Sequence, residues 1–310
     1  MMHVFSVNGL TQHALVRGRA DASVLLLVQA GPGFPMIHEA DALERALELE
    51  RDFRVVYWDQ RGTGRSFDPA QTGPLTLDTL VDDVASMAVA LCARLEVPSV
   101  DVAGFSMGGS LAMLAASRAG GRIRRVLAVG PDIEVAASEE FAWQFARDEA
   151  VRRGHRRALR ELEAIGAPPH DTAERFMTRV KWVTNFGGIA VGASFLGLFL
   201  HHVFRLLRSP AYSLRQVVAA LRGIQITQGR LLADLGHFSL TARLSQLDVP
   251  LTVVQGRLDA AAPPALAQTF FDGLVATQGK RLVWFNDCAH SPHFEAPGAF
   301  RQVVLDAFTG

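Results

Sequence analysis

Short apolar runs alternate with longer amphipathic stretches through the first third of the chain. Residues 24–28 (Val-Leu-Leu-Leu-Val) are continuously apolar and lead into Gly31-Pro32-Gly33, the pattern of a strand buried on both faces. Residues 37–50 have helical spacing, and 54–58 predict a second strand closed by Arg61-Gly62-Thr63-Gly64. Leu77, Leu80, Val84, Met87, Leu91 and Leu95 recur at intervals of three and four, which places them on one helix face. Residues 100–103 predict a strand, 107–118 a helix and 125–129 another strand. Such alternation specifies a mostly parallel sheet flanked by helices.

The rhythm stops after Pro131. Residues 133–243 show helical periodicity with almost no strand signal. Alternation then resumes with a strand at 251–255, a helix at 264–274, a strand at 281–285 and a terminal helix at 297–308. We therefore expect one α/β domain in two segments, 1–132 and 244–310, with a helical cap inserted at 133–243. A long insertion in a surface loop costs little closure entropy. At the carboxyl ends of parallel strands it would roof a substrate pocket.

Composition changes the picture mainly by exclusion. Of the 310 residues 49% are hydrophobic and 20% charged, which is globular. Lys+Arg and Asp+Glu balance at 31 each, so no basic field recruits nucleic acid. Arg152, Arg153, Arg156, Arg157 and Arg160 read as a solvated helix face. Cys92 and Cys288 form no disulfide framework, and residues 1–6 have no secretory pattern; together these predict a cytoplasmic protein. No metal-ligand cluster, phosphate loop or dinucleotide fingerprint appears, so neither metal nor cofactor is expected. Nothing in the sequence specifies an oligomeric state.

Residues 182–204 lack Asp, Glu, Lys and Arg over a length sufficient to span a bilayer. Asn185, His201, His202 and several early glycines argue instead for a lid that turns its apolar surface inward over a pocket. Stable membrane insertion is therefore not expected, and the His201-His202 pair reads as lid structure.

The chemistry concentrates in Gly104-Phe105-Ser106-Met107-Gly108, which follows a predicted strand and opens a predicted helix. A strand–turn–helix of this kind exposes a serine oxygen on a strained bend. A serine hydroxyl needs a base, and the base needs an acid to hold its tautomer. Asp259 lies just beyond the 251–255 strand and His290 just beyond the 281–285 strand, in the order such hydrolases use. Asp287 and His293 are nearby rivals, while Asp248 precedes its strand and sits at the wrong end. The backbone N–H groups of Met107 and Gly31 are candidate oxyanion donors.

Ala30-Gly31-Pro32-Gly33, the string Trp58-Asp59-Gln60-Arg61-Gly62-Thr63-Gly64-Arg65-Ser66, and the serine turn resemble the proline iminopeptidase family of α/β-hydrolases. The tail from Ala289 to Glu295 is similar to capped hydrolases of that wider group. The resemblance covers both core segments and not the cap. It implies the α/β-hydrolase fold, Ser106, Asp259 and His290 as triad, Gly31 and Met107 as oxyanion donors, and an Asp59–Arg61 turn that buttresses the oxyanion loop. Two departures stand out. Gln29-Ala30 replaces the family's usual His-Gly, and no Trp-Glu pair occurs in the cap, where the nearest string is Trp143-Gln144. Glu134, Glu139 and Glu140 are alternatives for holding a substrate amino terminus, but read first as solvated helix charges.

The expected activity is hydrolysis of an ester, thioester or amide of a small, mainly apolar molecule or short peptide through an acyl-enzyme. A prolyl aminopeptidase is the alternative within that class. A ligand receptor without turnover is the alternative outside it, and an intact serine, acid and base argue against it.

Overall fold

The computed structural model describes residues 1–31, 33–70, 73 and 75–309, without the side chain of Ala233. Pro32, in the expected oxyanion loop, lies outside the described residues. One sheet comprises β1 (Met2–Val7), β2 (Leu10–Gly18), β3 (Val24–Val28), β4 (Arg54–Asp59), β5 (Val100–Phe105), β6 (Ile123–Val129), β8 (Leu251–Gly256) and β10 (Lys280–Phe285). Its spatial order is β1-β2-β4-β3-β5-β6-β8-β10. The strands from β4 to β10 pair in parallel, and β1 and β2 add an antiparallel edge. Two-residue strands β7 (Gln246–Leu247) and β9 (Val275–Ala276) pair separately.

Successive side chains of a strand point to opposite faces. Leu26 and Val28 accordingly join one core cluster and Leu25 and Leu27 the other. Both clusters are buried because helices cover both faces: α2 (Leu77–Leu95) and α3 (Met107–Arg118) on one side, α1 (Ala40–Leu47) and α12 (Pro297–Phe308) on the other. The 37–50 helix expected from spacing is broken. Glu48 takes a left-handed conformation at φ 48°, which leaves α1 between two 3-10 turns. The β1–β2 hairpin was not anticipated; its Asn8-Gly9 turn has φ 48° and 76°, the geometry this dipeptide favours.

Between β6 and β8 stand α4 (Val135–Arg152), α5 (Arg156–Ile165), α6 (Ala173–Asn185), α7 (Phe195–Arg208), α8 (Leu214–Gly236) and α9 (Leu240–Arg243). Part of this insert has its own small core, in which Trp182, Val183 and Phe186 meet Ala146 and Leu162. Among the described residues no helix is long and apolar enough to cross a membrane. The inward-facing lid expected at 182–204 is met along one edge, where Val183, Ile189, Phe195, Leu198 and Phe199 line the cavity described below, and not along the other. The stretch is a helix end, a loop and part of α7, and Leu206 is the only buried residue of α7. Leu196, Leu200 and Phe204 stand in solvent, because the pocket beneath needs only one edge of this helix. Short helices α10 (Pro264–Gly273) and α11 (Pro292–Glu295) complete the chain.

A buried polar knot ties the hairpin to the sheet. Asp83 on α2 takes a two-pronged bond from Arg61, 2.7 Å on each prong, and also accepts from Gln12 at 2.9 Å and Asn8 at 2.7 Å. Gln12 in turn accepts from the Trp58 indole at 3.0 Å. Asp83→Ala removes the carboxylate from a buried guanidinium and should cost about 3–5 kcal/mol. The expected readout is a lower urea midpoint at unchanged m-value; a change under 1 kcal/mol would place the knot with ordinary surface pairs.

Candidate active site

The parallel register carries the ends of β3, β5, β6, β8 and β10 to one edge of the sheet. Ser106 follows β5 directly at φ 52° and ψ −128°, a left-handed backbone for a residue with a side chain. Its N–H donates to the carbonyl of Val129 at 2.7 Å. A Cβ on Gly104 would lie 2.2 Å from the Gly108 carbonyl oxygen, and one on Gly108 2.2 Å from that of Gln29. The bend therefore requires both glycines, and the second presses the loop after β3 against α3.

Asp259 follows β8 and is buried. Its Oδ1 accepts from the N–H groups of Ala261 and Ala262, both at 2.8 Å, and its Oδ2 lies 2.7 Å from His290 Nδ1. His290 follows β10. The Glu295 carboxylate steadies its loop by accepting from the N–H groups of Ala289 and Ser291. The insert touches the same place: the N–H of His290 donates to Ile189 and that of Ala260 to Gly188. Burial opposes an imidazolium at His290. The charge and hydrogen bond of Asp259, followed by the charges of Asp132 and Glu295, outweigh it and raise the pKa to about 9.

Asp132 was missed by sequence reasoning. It lies just beyond β6, and Ser106 Oγ donates to its Oδ2 at 3.1 Å. Burial raises the Asp132 pKa to about 6, against the charge of His290 and the serine bond. The strand-end logic that selected Asp259 would have found it too. The rivals lie elsewhere. Asp248 and Asp287 are exposed, and Asp248 binds Gln246 and Thr277. His293 packs against Phe105, Phe294 and Phe300, where burial pulls its pKa down to about 3.

Gly31 and Met107, the expected oxyanion donors, line one cavity with Ser106, Asp132 and His290. Asp59 anchors the segment behind that loop: its Oδ1 accepts from the N–H groups of Met36 and Ile37 at 2.8 and 2.9 Å, and Oδ2 from Arg65 and the Tyr212 hydroxyl. The cavity holds about 1130 Å³ between the sheet edge and the insert. Its wall is largely apolar, with Phe176, Val180 and Leu232 among its members.

Glu139 departs from the solvated role expected for it. It is buried on the cavity wall and paired with Arg179 at 2.6 Å, so its charge is already met. Glu134 accepts from Ser239 at 2.8 Å, and Glu140 is exposed. His202 is not merely lid structure. It meets His38 at 3.2 Å and Glu39 at 3.4 Å, with ligand atoms of the three all within 4.8 Å. The Glu39 carboxylate there also pairs with Arg205, which makes the cluster a charged clasp between α7 and the core.

Residues 23–159 match the family model for the alpha/beta hydrolase fold. The chain is 24% identical to a probable aminopeptidase, YbaC of Bacillus subtilis (strain 168), over 98% of this chain and 95% of that protein. It is 32% identical to the human (Homo sapiens) serine hydrolase BPHL over 52% of each chain. The solved proline iminopeptidase of Mycobacterium smegmatis superposes with a TM-score of 0.66 at 22% identity, covering 99% of this chain and 97% of that one. With its sheet order and the matched segment, the chain has the α/β-hydrolase fold and resembles the proline iminopeptidase family.

Proposed function

We propose that this hydrolase cleaves an ester, thioester or amide of a small, mainly apolar substrate through an acyl-enzyme on Ser106. His290 would serve as base and Asp259 as its acid partner. The observation that carries the reading is the 2.7 Å contact between buried Asp259 Oδ2 and Nδ1 of His290, which lines the same cavity as Ser106. The helical insert at 133–243 acts as the cap, whose apolar wall takes the acyl group.

In the proposed cycle Ser106 Oγ first leaves Asp132 and donates its proton to His290 Nε2 while attacking the substrate carbonyl carbon. The carbonyl electrons move to oxygen, where the N–H groups of Gly31 and Met107 receive the charge. Collapse expels the leaving group, which takes the proton from His290. Water then repeats the sequence: it gives a proton to His290, adds to the acyl carbon, and returns Ser106 with its proton.

A prolyl aminopeptidase is a second reading, supported by Asp132. A carboxylate 3.1 Å from the serine oxygen is within reach of an ammonium next to the scissile carbonyl. Turnover of p-nitrophenyl esters without turnover of prolyl-naphthylamide would eliminate it.

Three outcomes test the main reading. A fluorophosphonate probe should label the wild type once per chain, and Ser106→Ala should abolish labelling; persistent labelling would remove Ser106 from the mechanism. Asp259→Asn should lower kcat by roughly 10²- to 10⁴-fold, because the base loses its tautomer partner. If Asp132→Asn is the more damaging change, the acid has been assigned to the wrong strand end.

The base must be neutral to act, so kcat/KM should rise with pH through about 9 rather than near the usual histidine value. Asp132→Asn removes one carboxylate that favours the imidazolium and should shift this limb to lower pH. A wild-type limb at the ordinary histidine position would contradict the electrostatics described above.

A further inference from the structure

Helices α7 and α8 present apolar rows to solvent. Leu196, Leu200 and Phe204 recur at steps of four on α7, and Leu214, Val218 and Leu221 at steps of four and three on α8; all six are exposed. Exposed apolar rows on two helices in contact with each other mark an interaction site. The same two helices carry Arg205, Arg208, Arg215, Arg222 and Arg230 against a single acidic residue, Asp234. Over the whole chain the charges cancel, so this surface concentrates positive charge. Arg205 already pairs with Glu39, whereas Arg215 and Arg222 are exposed and have no acidic partner among the described residues.

The apolar surface continues into the reaction cavity. Leu198, Phe199 and Leu221 are exposed and also line the cavity above Ser106. A patch joined to the pocket in this way faces whatever delivers the substrate.

We propose that α7 and α8 dock on the surface of a lipid bilayer bearing anionic headgroups. The apolar rows would enter the boundary between headgroups and acyl chains, and the arginines would meet the phosphates. At 14 residues α7 is about 21 Å long, too short to cross the hydrocarbon core, so the helix lies on the membrane. A second copy of this chain fits the patch less well, because a two-fold interface would set arginines against arginines. Docking is independent of the hydrolytic reading. Only its corollary rests on that reading: the substrate is a lipophilic ester or amide that reaches Ser106 from the bilayer through the Leu198–Leu221 rim.

The test is co-sedimentation of the full chain with vesicles of phosphatidylcholine, with and without phosphatidylglycerol. Binding is expected on the mixed vesicles, weaker on phosphatidylcholine alone, and reduced by salt. The double variant Arg215→Gln, Arg222→Gln should bind the anionic vesicles roughly 30-fold more weakly. The double variant Leu200→Ser, Phe204→Ser should lose binding to both kinds. None of these four residues lines the cavity, so each variant should hydrolyse a soluble p-nitrophenyl ester at the wild-type rate, which also reports an intact fold. A wild type that stays in the supernatant with both vesicles at low salt would overturn the proposal. So would full binding by the serine variant, or a wild-type dimer that the serine variant dissolves while vesicles remain unbound. Vesicle binding without ester hydrolysis would instead leave docking in place and remove the hydrolytic reading.

Discussion

Everything at the reaction edge depends on one backbone conformation, the left-handed turn at Ser106. The chain must leave a buried strand and enter a buried helix within one residue, and a Cβ on Gly104 or Gly108 would fall 2.2 Å from a backbone oxygen. The Ser106 N–H is tied to the end of β6, so the neighbouring strand holds the turn in place. The same squeeze sets Gln29, and the loop that follows it, against the start of α3. The serine oxygen and the two oxyanion candidates are thus positioned by packing that involves none of their own side chains.

Charged groups crowd this edge. His290 faces Asp259, Asp132 and Glu295, while Asp132 faces Ser106, His290, Asp259 and Arg179. Low-dielectric surroundings magnify every such interaction. These charges favour the imidazolium at His290, and the serine hydroxyl points to Asp132. In the proposed cycle the serine proton must therefore move from Asp132 to His290 before attack.

Strand ends were legible in the sequence because a parallel sheet delivers successive loops to one edge, and Ser106, Asp259 and His290 converge there. Asp132 obeyed the same rule and went unread, because Pro131 marked the end of the pattern and drew attention to the insert. The Asn8-Gly9 hairpin carried a recognisable turn signal that was also passed over. Glu139 is different in kind. Its burial is decided by Arg179, 40 residues further along, and no local periodicity in α4 reports a partner at that distance. The direction of the apolar face of α7 was equally hidden, since an uncharged stretch looks the same whether it faces a pocket or the solvent.

The insert is joined to the loops of Asp259 and His290 chiefly through its main chain, by the carbonyls of Gly188 and Ile189. Hydrogen bonds between peptide groups are indifferent to side-chain identity. Sequence drift in the insert can therefore remodel the cavity wall while the registration of Asp259 and His290 is preserved. Under the proposed reading, substrate preference and reaction chemistry are separately heritable.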